Sequence, residues 1–496
     1  MLHTLPEETV EHILRFTSIG QRASPDKDTL HKCSLVSRRI TLASQRVLFE
    51  HICVNDLTWP WLQGFIDHLK ARPRFATYIK KMRISRHPYR GAPPSMRARL
   101  AMSSDYGPPE PVDESDYDQG RCGDLLAELL DLLPALQGLS LANLSFFHLS
   151  TTSKDAFRRL FDPQSNRGLQ ELYVGWIGRN DSDIQIISSS TTLKTLEVGT
   201  LWRMENQPLF NPSTKLIRAS LKKYRYTQDL CDPFGHPLLS SFPTIFSELE
   251  SLDFPLPCGT PRDHHHLLIA TKLLSISSST LRVLTIQVEG FREDLPDLSH
   301  LGALREIKLH ARNGCMKGKV HSFKFPSGPT TSFACRRILS RISPASPVSC
   351  IELNLRTTFE DNLPGNWLDT QFLHTDSLSQ LRRVWNKLDL LLSDRERFPH
   401  LMRVALNFRL DLWGVNRFPD SKDYSGEAEM EDGLWMDKDL AARAEALGRR
   451  KAKLEEEHLS IEKLLPRTAI RLTVIRNFEL SQKDWSYPGN EGLLIC

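Results

Sequence analysis

Across 496 residues this chain lacks the short patterns that announce catalysis: it has no G-x-S-x-G, no H-E-x-x-H and no G-x-G-x-x-G. An activated serine on a strand-to-helix elbow, a zinc-binding histidine pair and a dinucleotide phosphate loop are therefore not signalled. It also lacks paired cysteines. The nine cysteines stand singly, at Cys33, Cys53, Cys122, Cys231, Cys258, Cys315, Cys335, Cys350 and Cys496, with no CxxC and no signal-peptide pattern before them. Such spacing reads as reduced thiols in the cytoplasm or nucleus, and argues against a disulfide framework. No uninterrupted apolar run approaches the ~20 residues of a membrane helix. The most apolar region, Leu125–Leu141, carries Glu128, Asp131 and Pro134 and reads as a core helix and turn. Position 2 is Leu and the last residue is Cys496, so neither the myristoylation nor the prenylation pattern is met. Charge of one sign is missing too. The net charge of +4 is the small difference between 64 basic and 60 acidic residues, and nothing in it demands an anionic partner.

Three stretches come near a chemical motif and fall short. Asp263-His264-His265-His266 offers metal-ligand atoms, but adjacent residues on a helix point in different directions and no second cluster accompanies them. Gly314–Val320, GCMKGKV, has only three residues between its glycines and ends on a valine without the hydroxyl that holds magnesium, so it reads as a basic turn. Leu221–Tyr226, LKKYRY, mixes bases and aromatics as nucleic-acid surfaces do, but it is short and isolated and reads as a solvated face with two anchoring tyrosines. The expectation is a protein with no catalytic residue, no metal, no cofactor, no nucleic-acid partner and no membrane contact.

What is present is a repeated pattern. The chain is too long for one ordinary core unless it is an array, and its 40% hydrophobic and 25% charged content suits a folded protein. After a short strand at ICVND and a helix over Trp59–Leu69 with Trp61, Phe65, Ile66 and Leu69 on one side, the spacing L-x-x-L-x-L begins. It occurs at Ile79/Met82/Ile84, Leu136/Leu139/Leu141, Leu169/Leu172/Val174, Leu193/Leu196/Val198, Leu249/Leu252/Phe254, Leu281/Leu284/Ile286, Leu304/Ile307/Leu309, Cys350/Leu353/Leu355 and Leu401/Val404/Leu406, with a weaker copy near Ile470 and Leu472. Each copy predicts a short strand whose last two apolar residues face one side, with the first on the incoming turn. Helical patterns precede several of them, as in CGDLLAELLDLLP and LSQLRRVWNKLDLLL. No such unit buries its apolar face alone, so stacking into a solenoid is the expected solution.

Leu172 to Leu196 and Leu284 to Ile307 are about 24 and about 23 residues apart, inside the leucine-rich-repeat range, while other intervals stretch to about twice that. The Asn or Cys expected after the strand is mostly missing, so the pattern resembles degenerate leucine-rich repeats; a non-repeat α/β fold is the other reading. Ser103–Gln119 and Asp420–Asp432 are acidic, poor in aliphatic residues and unable to offset their ordering entropy, and read as disordered insertions. Asp437–Leu465 is strongly helical, with Leu440, Leu447, Leu454 and Ile461 spaced by seven. Ala444, Lys451, His458 and Gly448 suit a coiled coil poorly, so a charged helix packed near the C-terminal end of the repeats is expected.

The first fifty residues differ from the rest. Pro6 sits well in a first helical turn, Glu7 and Glu8 favour its positive end, and Val10, Ile13 and Leu14 form one stripe over Pro6–Phe16. Asp28 or Thr29 can cap a second helix carrying Leu30, Cys33 and Val36, and a third is expected over Arg39–Phe49. So small a unit gains stability by packing on a neighbour or partner. The ordered pieces LPEE, EHIL, CSLVSRR and VLFEHI resemble the F-box, in its fungal branch, with one departure in the longer connection Thr17–Lys27. The resemblance implies docking on the Skp adaptor of cullin–RING ubiquitin ligases. By matching motif the adaptor-contacting positions are Leu5, Pro6, Ile13, Leu14, Leu35, Val36, Leu48 and Phe49; the plainer reading is that these residues pack the helices on the next domain.

The expected architecture is therefore α/β: a short three-helix F-box over 1–52, an irregular leucine-rich-repeat-like solenoid over 53–480 and the charged helix 437–465. In leucine-rich repeats the residues between strand leucines lie on the concave face. Here these are Lys81, Arg83, Glu171, Tyr173, Thr195, Glu197, Ser251, Asp253, Glu306, Lys308, His310, Asn354, Arg356, Arg403 and Asn407. Interface energy concentrates in aromatic and Arg anchors, which makes Tyr173, Arg356 and Arg403 the leading target-binding candidates, with Glu171, Lys308 and His310 beside them. The function implied is a non-enzymatic substrate receptor of an SCF-type ubiquitin ligase, binding the adaptor, and through it cullin and RING subunits, at one end and an unknown protein target at the other. The alternative is a repeat scaffold or adaptor-binding protein acting outside a ubiquitin ligase.

Overall fold

A computed structural model describes residues 7–17, 38–55, 59–85, 119–145, 150–162, 168–178, 190–202, 219–226, 243–256, 264–289, 295–313, 329–361, 385–414, 465–484 and 493–495, with 30, 32, 33, 35, 187, 188 and 239 as single positions. The chain divides into two units, Met1–Leu249 and Glu250–Cys496. Apart from Gln119 and Leu465 at their ends, the insertions expected over 103–119 and 420–432 and the helix expected over 437–465 lie outside the described residues.

The first unit opens with α1 (Glu7–Thr17) and α2 (Arg38–Glu50), and α2 runs directly into β1 (His51–Asn55). Then follow α3 (Trp59–Ala71), α4 (Pro73–Tyr78), β2 (Lys81–Ser85), α5 (Gln119–Asp131), β3 (Gly138–Ser145), α6 (Thr151–Phe161), β4 (Glu171–Gly178), β5 (Thr195–Trp202), β6 (Lys223–Tyr226) and a 3₁₀ turn at Pro243–Phe246. β1 to β6 pair in chain order and all in parallel. The second unit contains β7 (Ser251–Leu256), α7 (His264–Ile276), β8 (Val283–Glu289), β9 (Glu306–Asn313), α8 (Pro329–Leu339), β10 (Cys350–Asp361), a helical stretch at 385–393, β11 (Arg403–Gly414), α9 (Pro466–Arg471), β12 (Thr473–Asp484) and β13 (Leu493–Ile495). Here β7 to β12 are again parallel and in chain order, and β13 closes the run antiparallel to β12. Twelve parallel strands, six per unit, thus give the α/β, solenoid-like arrangement that the repeat spacing implies.

The repeat leucines form the core of each unit. Met82/Ile84, Leu139/Leu141, Leu172/Val174 and Leu196/Val198 are all buried, as are Leu252/Phe254, Leu284/Ile286, Ile307/Leu309 and Val404/Leu406, and each aligns in register with the pair on the neighbouring described strand. Removing one such side chain costs ~2–5 kcal/mol. A backbone device repeats with them. The carbonyl just before a strand accepts two N–H groups from the next unit: Gln137 O from Gln170 and Glu171 (2.7 and 2.9 Å), Gln170 O from Lys194 and Thr195, Arg282 O from Arg305 and Glu306, Arg305 O from Ser349 and Cys350. This satisfies the backbone groups of each incoming turn and fixes its phase.

Three readings of the repeat need correction. The stretch LKKYRY ends in β6, with Leu221, Tyr224 and Tyr226 at 0% exposure, so it is one more copy of the pattern with tyrosines in the leucine places. Phe246 meets the Tyr224 ring edge-on at 5.0 Å. The β10 copy is framed by Val348, Ile351 and Leu353, all buried, and not by Cys350/Leu353/Leu355, because Ile351 and Leu353 are the Cα partners of Ile307 and Leu309. Near the end, Ile470 is 89% exposed, and the register assigns Val474 and Arg476 to the places of Val404 and Leu406. On α3 the buried stripe is Leu62, Ile66 and Leu69, with Phe65 half-buried.

Candidate functional site

Because strand side chains alternate, burying two residues of each unit leaves those between them on the opposite face. In the first unit β3 contributes Gly138 and Ser140 to that face, between Lys81 and Arg83 on β2 and Glu171 and Tyr173 on β4. Small residues between long ones make a groove of about 290 Å³, which His51, Cys53, Thr195 and Glu197 also line. Lys81 Nζ reaches Glu171 Oε2 at 2.7 Å across Gly138. A Cβ at position 138 would lie 3.1 Å from Lys81 Cγ, so the glycine keeps that path open. On the far side Arg225 Nη1 pairs with Glu197 Oε1 at 3.3 Å. Burial pushes the Tyr173 phenol up, and Glu197 pushes it further against the pull of Arg83 and Arg225, so its O–H stays protonated at neutral pH.

On the second unit the corresponding face carries a row of hydrogen-bonded polar side chains. His310, Asn354, Asn407 and Asn477 are register partners on β9 to β12. Asn407 Nδ2 donates to Asn354 Oδ1 at 2.6 Å, Asn477 Nδ2 donates to Asn407 Oδ1 at 2.8 Å, and Asn354 Nδ2 lies 3.3 Å from His310 Nε2. Glu352 Oε1 accepts from Asn354 and Asn407, both at 3.0 Å, while Glu352 Oε2 faces Lys308 Nζ at 3.4 Å. Lys308 also reaches Glu306 at 3.3 Å. Burial alone pulls the Lys308 ammonium down, but Glu306 and Glu352 outweigh it and its pKa is raised. For Glu352, burial pulls upward and the donors Asn354 and Lys308 win, leaving its carboxyl below the usual range. Across β7 and β8, Gln287 Nε2 donates to Asp253 Oδ1 at 3.0 Å.

Of the target-binding candidates, Tyr173 and Glu171 come together in the first-unit groove, and Lys308 and His310 belong to the second-unit network. Arg403 is exposed at the start of β11 as the Cα partner of Cys350, and Arg356 is the Cα partner of Arg312 and Arg409. Ser251 is on β7 beside Val283, and Thr195 lines the groove. Glu352, which accepts from two asparagines and faces Lys308, is absent from the candidates that the sequence pattern gives. The frame Cys350/Leu353/Leu355 lies two residues beyond the buried one, and an offset of two keeps the face while shifting position along the strand. The pattern therefore places Asn354 on the correct face but leaves out Glu352, two residues earlier on it. Burial pushes the Cys335 thiol up to about 12 and, with help from Glu306, raises that of Cys350, so neither is an activated nucleophile.

The N-terminal helices hold a cluster of Val10, Leu14, Leu30, Ile40, Ala43 and Val47, with Cys33 and Leu48 packed against it. Arg46 Nη1 ties α2 to Glu11 of α1 at 2.8 Å. Phe49 stacks on Phe75 of α4 at 4.7 Å, and Lys80 pairs with Glu50 at 3.2 Å, so α2 is joined to the first repeat by side chains as well as by chain. Among the positions carried over for adaptor contact, Leu14 is inside the cluster, Leu48 and Phe49 are partly buried, Ile13 is 36% exposed and Leu35 is 77% exposed. Leu5, Pro6 and Val36 lie outside the described residues.

No described helix is long and apolar enough to cross a membrane. The chain matches no protein-family model and no curated protein.

Proposed function

We propose that this chain is the substrate-receptor subunit of an SCF-type cullin–RING ubiquitin ligase, with the N-terminal helices holding a Skp-type adaptor and the uncovered strand face holding a protein target in the cytoplasm or nucleus. The observation that carries the reading is the order LPEE, EHIL, CSLVSRR, VLFEHI ahead of a stack of parallel strand units. Leu35 and Ile13 supply exposed apolar surface beside the α1/α2 cluster, which suits a helix-binding partner. Ordered polar networks on a rigid sheet suit recognition, since their donors and acceptors are fixed before a partner arrives. The chain performs no bond chemistry in this reading. Its contribution is proximity, placing a target lysine beside a ubiquitin-charged enzyme that other subunits recruit.

Affinity capture of the intact protein with adaptor present and the proteasome inhibited tests the reading. Adaptor and cullin are expected to co-purify. Adaptor without cullin supports a scaffold acting outside a ligase, and absence of both overturns the proposal.

A further inference from the structure

The groove over β3 has one cation left over. Lys81 is engaged by Glu171 and Arg225 by Glu197, whereas Arg83 is exposed and has no carboxylate within ion-pairing distance among the described residues. Arg83, Ser140 and Tyr173 occupy one register row, Arg83 on one wall, Ser140 on the floor and Tyr173 on the other wall. Two strand spacings separate the walls by roughly 10 Å, wide enough for one side chain of a partner between them. The row thus offers a guanidinium, a serine hydroxyl and a protonated phenol O–H facing one space.

We infer that this groove takes a single acidic side chain, a glutamate or aspartate, from the protein target. The inference rests on the receptor reading and names what that face selects. The charges decide the class. Lys81 is paired with Glu171, and Glu197 is paired with Arg225 from beside the groove, so the Arg83 guanidinium is the lining charge that one carboxylate neutralises. A phosphate dianion would exceed that charge and bring its second negative charge beside Glu171 and Glu197, where like charges repel. A neutral amide would leave the guanidinium facing an uncharged group and forfeit a charge-assisted, bidentate contact.

Full-length protein, immobilised, is to be offered pools of short degenerate peptides that differ only in one fixed central residue: glutamate, glutamine, phosphoserine or lysine. The glutamate pool is expected to be retained about tenfold over the glutamine pool, the scale of a hydrogen bond to a charged group. Arg83→Gln removes that preference and Arg83→Lys restores part of it, with circular dichroism and melting temperature unchanged in both. A Lys272→Gln variant, at an exposed site on α7, retains it. Equal retention of the glutamate and glutamine pools, a preference that survives Arg83→Gln, or stronger retention of the phosphoserine pool overturns the inference. Adaptor capture on the same preparations reports separately. Its failure with the glutamate preference intact overturns the ligase reading and leaves the groove assignment standing.

Discussion

Glu352 shows how much one side chain organises on the second-unit face. Its carboxylate accepts from two asparagines and faces Lys308, and those asparagines in turn hold His310 and Asn477. A Glu352→Gln variant keeps the shape and loses the charge, and is expected to unfold about 1–2 kcal/mol more easily at pH 7. The folded carboxyl pKa lies below its ordinary value, so the stabilisation is present above the unfolded value of about 4.3 and is lost as pH falls through the folded one. The gap between variant and wild type therefore narrows as pH falls below the unfolded value and through the folded one, which denaturant titrations across pH will check. Lys308 runs the other way: its raised pKa keeps its contribution present at neutral pH and surrenders it only in strong alkali.

Among the elements, two local contacts fix how helices sit on the strands. Gly123 in α5 lies against the start of α6, where a Cβ would come 2.6 Å from the Cβ of Ser150, and Ser150 caps α6 by accepting from Ser153 N–H at 3.1 Å. Gly123→Ala must push that cap aside, and a loss of ~1–3 kcal/mol is expected from chemical denaturation. In the second unit Asp389, buried in the 385–393 helical stretch, accepts from the backbone N–H groups of Arg467 and Thr468 at 3.1 and 2.8 Å, capping α9 from another part of the chain. Asp389→Ala is expected to cost ~0.5–2 kcal/mol, measured as a lower melting temperature. Neither contact was legible in the sequence, because each joins segments that only packing brings together. What was legible followed from periodicity. The leucine triplets named the core pairs of most strands, since a two-residue alternation beside a fixed turn leaves little freedom. It failed where chemistry departed from leucine, as with Tyr224 and Tyr226, and where two frames were equally apolar, as at Val348/Ile351/Leu353 against Cys350/Leu353/Leu355.

At the scale of the whole molecule, a small helical module precedes a stack of parallel strand units. The module's own core was readable, with Val10, Leu14, Leu30, Ile40 and Val47 buried together as their spacing implies. Which of its apolar residues stay exposed was less legible, because a helix stripe does not say which of its residues the neighbouring helix consumes: Leu14 is buried whereas Ile13 is 36% exposed. Binding of a Skp-type adaptor by this module, as proposed, is measured by titrating purified adaptor into the full-length protein by calorimetry. Saturable one-to-one binding is expected, which Leu5→Ala with Pro6→Ala abolishes and Leu35→Asp weakens at least tenfold, all variants keeping the wild-type melting temperature of the repeat part. No heat of binding for the wild-type protein, or binding that the double variant leaves unchanged, would contradict it.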